Sequence, residues 1–259
     1  MRGPSVFALN CYQTLYSITP SKFDTDTFVL PCGKVELQSD CIHTPEIGKE
    51  ILFEAQKQMF QHLTVKIPSH WTVSQNCLEA CGFRFKVCSL FMERTAGGKS
   101  PSPCSIERYD GSDDERIIQI TEESFTKNTR FHFEALFSTQ DVSRLYRQWA
   151  SNLVQDQSTQ ILVHREKEII TAYVSIDYDH SSRRGHLELL AVAPDHHGKK
   201  IGNLLLGALP DQFPDAHFFS AMTESINFPA LRMYQKAGFY IKQSWTIFHW
   251  SKKKSTETT

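Results

Sequence analysis

No window of this sequence approaches eighteen consecutive apolar residues, so a membrane-spanning helix is not expected. Neither sign of charge is in excess: 28 Lys and Arg stand against 29 Asp and Glu. That balance excludes the strongly basic footprint of a nucleic-acid binder. There is no C-x-x-C pair. The seven cysteines, Cys11, Cys32, Cys41, Cys77, Cys81, Cys88 and Cys104, are odd in number and scattered. Neither a disulfide framework nor a paired zinc-ligand set is expected from them; reduced thiols, no metal and a cytoplasmic location are. The opening residues, Met1-Arg2-Gly3-Pro4-Ser5-Val6, lack a long apolar signal-peptide core. Two phosphate signatures are missing as well, G-K-[ST] and G-x-G-x-x-G. What the 259 residues do hold is 40% hydrophobic and 22% charged side chains, enough for a sizeable core in one or two domains.

The run Thr95-Ala96-Gly97-Gly98-Lys99-Ser100-Pro101-Ser102-Pro103 cannot hold a helix or a central strand. It predicts a linker over 96–104 between a first domain, 1–95, and a second, 105–250, with a frayed tail over 251–259. In the first domain the apolar pattern predicts strands at 28–30, 34–37, 65–68 and 83–93. Helices are predicted over 44–62, where Ile47, Ile51, Leu52, Ala55 and Met59 share a face, and over 73–81, closed by Gly82. In the second domain, helices over 113–125 and 141–153 precede strands at 159–165, 169–177 and 185–192. A helix from about Lys199 is expected to be short or distorted because of Pro210 and Pro214. A strand at 217–222, a helix over 228–237 closed by Gly238, and a strand at 239–250 complete the pattern.

The chemistry-bearing stretch is Leu190-Ala191-Val192-Ala193-Pro194-Asp195-His196-His197-Gly198-Lys199-Lys200-Ile201-Gly202-Asn203. A strand runs into a glycine-containing loop that opens a helix. Unpartnered N–H groups and the helix dipole make such a start an anion site, suited to a pyrophosphate. Gly198 and Gly202 permit close backbone approach, and Lys199 and Lys200 add charge. About twenty residues on comes Thr223-Glu224-Ser225-Ile226-Asn227-Phe228-Pro229-Ala230-Leu231-Arg232-Met233-Tyr234-Gln235-Lys236-Ala237-Gly238-Phe239. Asn227 and Tyr234 lie seven residues apart, about two helical turns, so both can address one ligand from one face.

These two linked stretches resemble the GNAT superfamily of acyl-CoA-dependent N-acyltransferases, over roughly 105–250. His197 stands where that family usually has Arg or Gln, and Lys200 where it has its middle glycine. The resemblance implies an α/β (α+β) fold with a central mixed, mostly antiparallel sheet flanked by helices. A smaller, partial GNAT-like unit would precede it, because Leu78-Glu79-Ala80-Cys81-Gly82-Phe83 echoes the helix-Gly-Phe ending at Gly238-Phe239. It implies an acyl-CoA co-substrate held by Leu190, Ala191, Val192, His197, Gly198, Lys199, Lys200, Ile201, Gly202, Asn203, Asn227 and Tyr234. Backbone N–H groups near Leu190 and Val192 would polarise the thioester carbonyl. Tyr234 is the candidate general acid for the leaving thiolate, and Glu188, in the apolar run 187–192, the candidate base, with His186 a weaker alternative.

A finer resemblance, to the dTDP-fucosamine acetyltransferases, rests on Phe125, Thr129-Arg130-Phe131, Tyr146-Arg147-Gln148-Trp149 and the Thr223-x-x-x-Asn227 spacing. It implies transfer of an acetyl or 3-hydroxybutyryl group to a dTDP-linked 3- or 4-amino-6-deoxy sugar. Arg130, Phe131, His132, Tyr146 and Thr223 would hold that acceptor, Arg130 by pairing with the diphosphate. Homodimerisation is left open. The alternatives are a GNAT enzyme acting on a protein or small amine, and a non-catalytic acyl-CoA-binding module.

Overall fold

The computed structural model describes residues 15–40, 45–97 and 106–252. Among them are ten strands and seven helices: β1 (Tyr16–Pro20), α1 (Lys22–Phe28), β2 (Cys32–Leu37), α2 (Pro45–Lys57), β3 (His62–Pro68), α3 (Thr72–Ala80), β4 (Arg84–Thr95), β5 (Ile106–Arg108), α4 (Asp114–Ser124), α5 (Thr139–Gln155), β6 (Gln160–Glu166), β7 (Ile169–Asp179), β8 (Arg184–Val192), α6 (Ile201–Gln212), β9 (Phe218–Glu224), α7 (Phe228–Lys236) and β10 (Tyr240–Ser251). Most of the expected linker over 96–104, and the tail beyond Lys252, lie outside the described residues.

The chain forms two compact units, and their boundary differs from the one expected near residue 95. One unit takes residues up to Cys88, the segment Phe133–Leu136 and the chain from Ser244; the other takes Ser89–His132 and Phe137–Gln243. β4 and β10 therefore each give residues to both.

In the first unit, β1 pairs β2 antiparallel, β2 pairs β3 in parallel through α2, and β3 pairs the second half of β10 antiparallel. Ile47, Ile51 and Ala55, four residues apart on α2, pack with Val65, Leu78 and Phe248 into its core. The strand expected at 28–30 does not form. Phe28 is the buried last residue of α1, and Val29 terminates that helix in the left-handed region at φ 56°. Local hydrogen bonds override the β-branched propensity. The Ser21 amide donates to the Cys32 carbonyl at 2.8 Å, and the Cys32 amide donates to Thr25 Oγ1 at 3.0 Å.

In the second unit the strand order is β4-β9-β8-β7-β6-β5, antiparallel throughout except for β8 and β9. β7 is buried from Ile170 to Ile176, as a central strand covered on both faces must be. On one face lie α6 and α7, with Leu205, Leu209, Phe219 and Phe239; on the other lie α4 and α5, with Ile117, Ile120, Leu153 and Leu189. Asp113 caps α4 through the Arg116 amide, and Ser138 with Asp141 forms a capping box on α5.

The two halves of the chain repeat one plan: strand, crossover helix, parallel strand, nine-residue helix, glycine turn, long strand. Gly82 at φ 96° and Gly238 at φ 83° end the two nine-residue helices. The amide of Phe83 donates to the Leu78 carbonyl at 3.0 Å, and that of Phe239 to the Tyr234 carbonyl at 2.9 Å. Leu78 thus occupies in the first half the place of Tyr234 in the second. The closing strands are exchanged: β4 pairs β9, and β10 pairs β3.

Pro210 neither shortens nor ends α6, which continues to Gln212. The proline cannot donate to the Leu206 carbonyl four residues earlier, and a guanidinium NH2 of Arg94 donates there instead. The other terminal nitrogen of Arg94 reaches the Ala237 carbonyl at 3.0 Å. Burial lowers this guanidinium to about 10, which leaves it charged at neutral pH. Arg94→Met is expected to leave both carbonyls without a donor and to cost about 2–4 kcal/mol, read from denaturant titration. An unchanged midpoint would show that water replaces the guanidinium.

Candidate active site

β8 and β9 pair in parallel from Arg184↔Phe218 to Leu187↔Ala221, and no pair follows. The strands part at their C-terminal ends and leave a gap flanked by residues 188–192 and 222–224. A bulge adds to this. Between Ile176↔Leu187 and Val174↔Leu190, two residues of β8, Glu188 and Leu189, oppose the single residue Ser175. The Leu189 amide donates to Ser175 Oγ at 3.0 Å, which anchors the bulge. Leu187 and Leu189 are buried in the cores of opposite faces, Leu190 and Val192 are half-buried past the point of separation, and Glu188 is exposed.

After β8 the Ala193 amide still bonds the Thr171 carbonyl at 2.8 Å. The chain then makes a single 3-10 turn at Pro194–His196. Gly198 at φ 80° and Lys200 at φ 62° turn it into α6. His197 donates through Nε2 to the Val192 carbonyl at 2.8 Å, so this ring shapes the loop. His196 bridges Asp195 and Glu166, and Lys199 pairs with Glu166 at 3.7 Å. The Ile201 and Gly202 amides, in the first turn of α6, have no intrahelical acceptor. A side chain built on Gly198 would meet nothing within 4 Å. Gly198→Asp therefore adds a carboxylate beside the expected anion site for a conformational cost of about 1 kcal/mol, since Asp tolerates the left-handed region. Acyl-CoA affinity is expected to fall about 10- to 100-fold by calorimetry; unchanged affinity would place the pyrophosphate elsewhere.

A Cβ on Gly202 would crowd Met233 Sδ, the movable end of a flexible side chain, where α6 meets α7. Asn203 also ties those helices, Nδ2 donating to the Met233 carbonyl at 3.3 Å. Asn227 caps α7, its Oδ1 accepting from the Ala230 amide at 3.3 Å. Two turns on, Tyr234 is 6% exposed in the core beneath α6 and α7. Its ring meets Phe239 edge-on at 5.3 Å. Burial raises its phenol far above the ordinary value, so it is protonated at neutral pH. Its hydroxyl has no hydrogen-bond partner among the described residues.

Strand alternation puts His186, Ser220, Met222 and Glu224 on the opposite face, with the bulged Glu188. His186 Nδ1 lies 2.9 Å from Ser220 Oγ, and Phe91, opposite Met222 on β4, stacks on His186 at 6.2 Å. Glu224 accepts the Arg130 amide at 3.1 Å, and the Arg130 guanidinium approaches the same oxygen at 4.0 Å while lying 4.3 Å above the buried Phe131 ring. His132 Nδ1 lies 2.8 Å from Thr129 Oγ1, and burial lowers its imidazole despite a backbone hydrogen bond at Thr126. Tyr146 is sandwiched between Phe125 at 4.5 Å and Trp149 at 6.1 Å, and burial pushes its phenol up to about 12. Thr223 is buried on the other face of β9 from Glu224. Arg130 and Glu224 thus meet each other, and Tyr146 feels both charges.

Glu224 is the residue that sequence reasoning missed. Its one signal was its position beside Thr223, three residues ahead of the Asn227 cap. Burial outweighs the Arg130 amide and charge and raises its carboxyl above the ordinary range. The folded chain thus holds the Glu224 proton more tightly than the unfolded one, and stability is lost as pH rises through that raised range. Glu224→Gln is expected to raise Tm at neutral pH, by an amount that shrinks as pH falls, and to weaken acceptor binding. A Tm lowered at neutral pH would show that the Arg130 pair outweighs desolvation.

Residues 115–239 match the acetyltransferase (GNAT) family model. The chain carries a GNAT acetyltransferase domain. Over 155 residues it is 26% identical to the spore coat polysaccharide biosynthesis protein SpsD of Bacillus subtilis (strain 168), a match covering 58% of this chain and 52% of that protein. The chain thus matches about half the length of that curated relative. A GCN5-related N-acetyltransferase from Sphaerobacter thermophilus superposes with TM-score 0.62 at 12% identity, over 91% of this chain and 76% of that one. A tandem GNAT protein from the clavulanic acid biosynthesis pathway does so with TM-score 0.56 at 16% identity, over 87% and 77%. At such identities these likenesses speak for the fold alone: a GNAT sheet, mixed and mostly antiparallel, flanked by helices.

Proposed function

We propose that the chain transfers an acyl group from acyl-CoA to the amine of a dTDP-linked 3- or 4-amino-6-deoxy sugar, directly, in a ternary complex. The observation that carries this reading is the gap between β8 and β9. On one face it has the Ile201 and Gly202 amides and the hydroxyl of Tyr234, which has no partner among the described residues. On the other it has Glu188, Glu224 and Arg130. A pyrophosphate on the α6 N-terminus directs the pantetheine arm into the gap. The amide groups near Leu190 and Val192 polarise the thioester carbonyl. The neutral amine attacks that carbon, Glu188 receives its proton through water, and Tyr234 donates a proton to the departing thiolate. Arg130 faces the acceptor's diphosphate and Tyr146 backs its wall. The polysaccharide role in the name of SpsD supports a sugar acceptor.

Calorimetry with coenzyme A and dTDP tests the ternary site. Each ligand is expected to bind with the other present, one per chain. Exclusive binding, or coenzyme A binding with no dTDP binding at any concentration up to the millimolar range, would overturn the nucleotide assignment.

A further inference from the structure

In the first compact unit, three distant segments bring two imidazoles and a carboxylate together. His62 begins β3, His249 lies near the end of β10, and Glu134 belongs to the short segment Phe133–Leu136. Their exposures are 2%, 1% and 6%. β10 sets His249 opposite Thr64 and Ser251 opposite His62, so the two histidines are diagonal neighbours on one face of the pair. Their rings meet edge to face, 4.6 Å apart at 83°. His249 Nδ1 lies 3.4 Å from Glu134 Oε2, and one potential ligand atom from each of the three residues lies within 4.8 Å of the others.

We propose that His62, His249 and Glu134 form a binding site for a divalent transition-metal ion of the zinc class. Two imidazoles and a carboxylate are a donor set that holds zinc or a similar first-row ion with a position left for water. With bonds of about 2.0–2.1 Å, two ligands of a tetrahedral ion stand roughly 3.3 Å apart, close to the separation between His249 and Glu134. Lys86 offsets part of the cost of burying this carboxylate: its ammonium lies 3.1 Å from Glu134 Oε2 and donates to the Phe133 carbonyl at 2.9 Å. That is the place of an outer-shell donor, which orients a ligating carboxylate and fixes the segment bearing it. No cysteine belongs to the set, which separates this site from thiolate zinc centres.

The test uses the full chain after chelator treatment. Zinc is titrated against a chromophoric chelator, and cobalt(II) is then used as a spectroscopic stand-in. The expected result is one ion per chain, cobalt ligand-field bands without a thiolate charge-transfer band, and imidazole nitrogen shifts on zinc addition at two of the eleven histidines. His249→Ala and Glu134→Gln should each lower zinc affinity at least about 10-fold. The wild-type readouts stand whether or not the variants fold. No ion taken up at micromolar zinc, a thiolate band, histidine shifts at other positions, or unchanged affinity in a folded Glu134→Gln variant would each overturn the site.

Discussion

Tyr234→Phe is expected to lower kcat by roughly 10²–10⁴, the worth of a positioned general acid, with acyl-CoA affinity unchanged. The substitution removes one oxygen and keeps the ring against Phe239, so packing is preserved and the fold should lose little. The hydroxyl has no partner to lose among the described residues, which makes its removal a clean probe of chemistry. Because burial keeps the phenol protonated far into alkaline pH, the wild-type rate should show no alkaline loss from Tyr234 over the ordinary assay range. Single-turnover kinetics must confirm that chemistry limits both enzymes. Near-wild-type turnover under that condition would remove Tyr234 from the mechanism.

Removing the nucleotide from the acceptor is expected to lower kcat/KM by about 10²–10³. Binding remote from the reacting amine is spent on holding that amine in line with the thioester. Arg130 carries the point. Its backbone is pinned to Glu224 and its guanidinium rests on Phe131, so a planar cation is held in place where a diphosphate can reach it. Arg130→Ala should accordingly raise KM for the dTDP-sugar at least about 10-fold, leave acyl-CoA affinity alone, and leave the residual rate with free sugar unchanged. Equal rates with free and dTDP-linked sugar would keep the acyl transfer and reject the nucleotide site. A lysine peptide accepted better than every nucleotide sugar would favour the protein-directed alternative.

The parts of this site that were legible in the sequence are those written in local spacing. The strand-loop-helix around Gly198 and the seven-residue frame from Asn227 to Tyr234 were both readable, because each is a contiguous element with its own caps. What was not legible depends on distant partners. The bulge that exposes Glu188 is anchored by the Ser175 hydroxyl, on another strand. That Gly202 also faces Met233, on another helix, is not written in local spacing. Pro210 and Pro214 suggested a short or distorted helix because nothing near them shows that Arg94 supplies the absent donor. The apolar run at 28–30 suggested a strand because the turn chemistry of Ser21 and Thr25 is invisible to periodicity.

The exchange of β4 and β10 between the halves bears on how the chain reaches its native state. The first unit contains the end of β10, so during synthesis every element from β4 to β10 must appear before that sheet can close. A fragment ending at Cys88 lacks the strand that flanks β3, and its row of unpaired N–H and C=O groups is a template for the wrong partner. Contacts so far apart in sequence make folding slow and leave that edge open while it lasts. Truncation ahead of β10 should thus injure the unit of β1 to β3 first: a strand made after β4 to β9 completes a sheet begun before them.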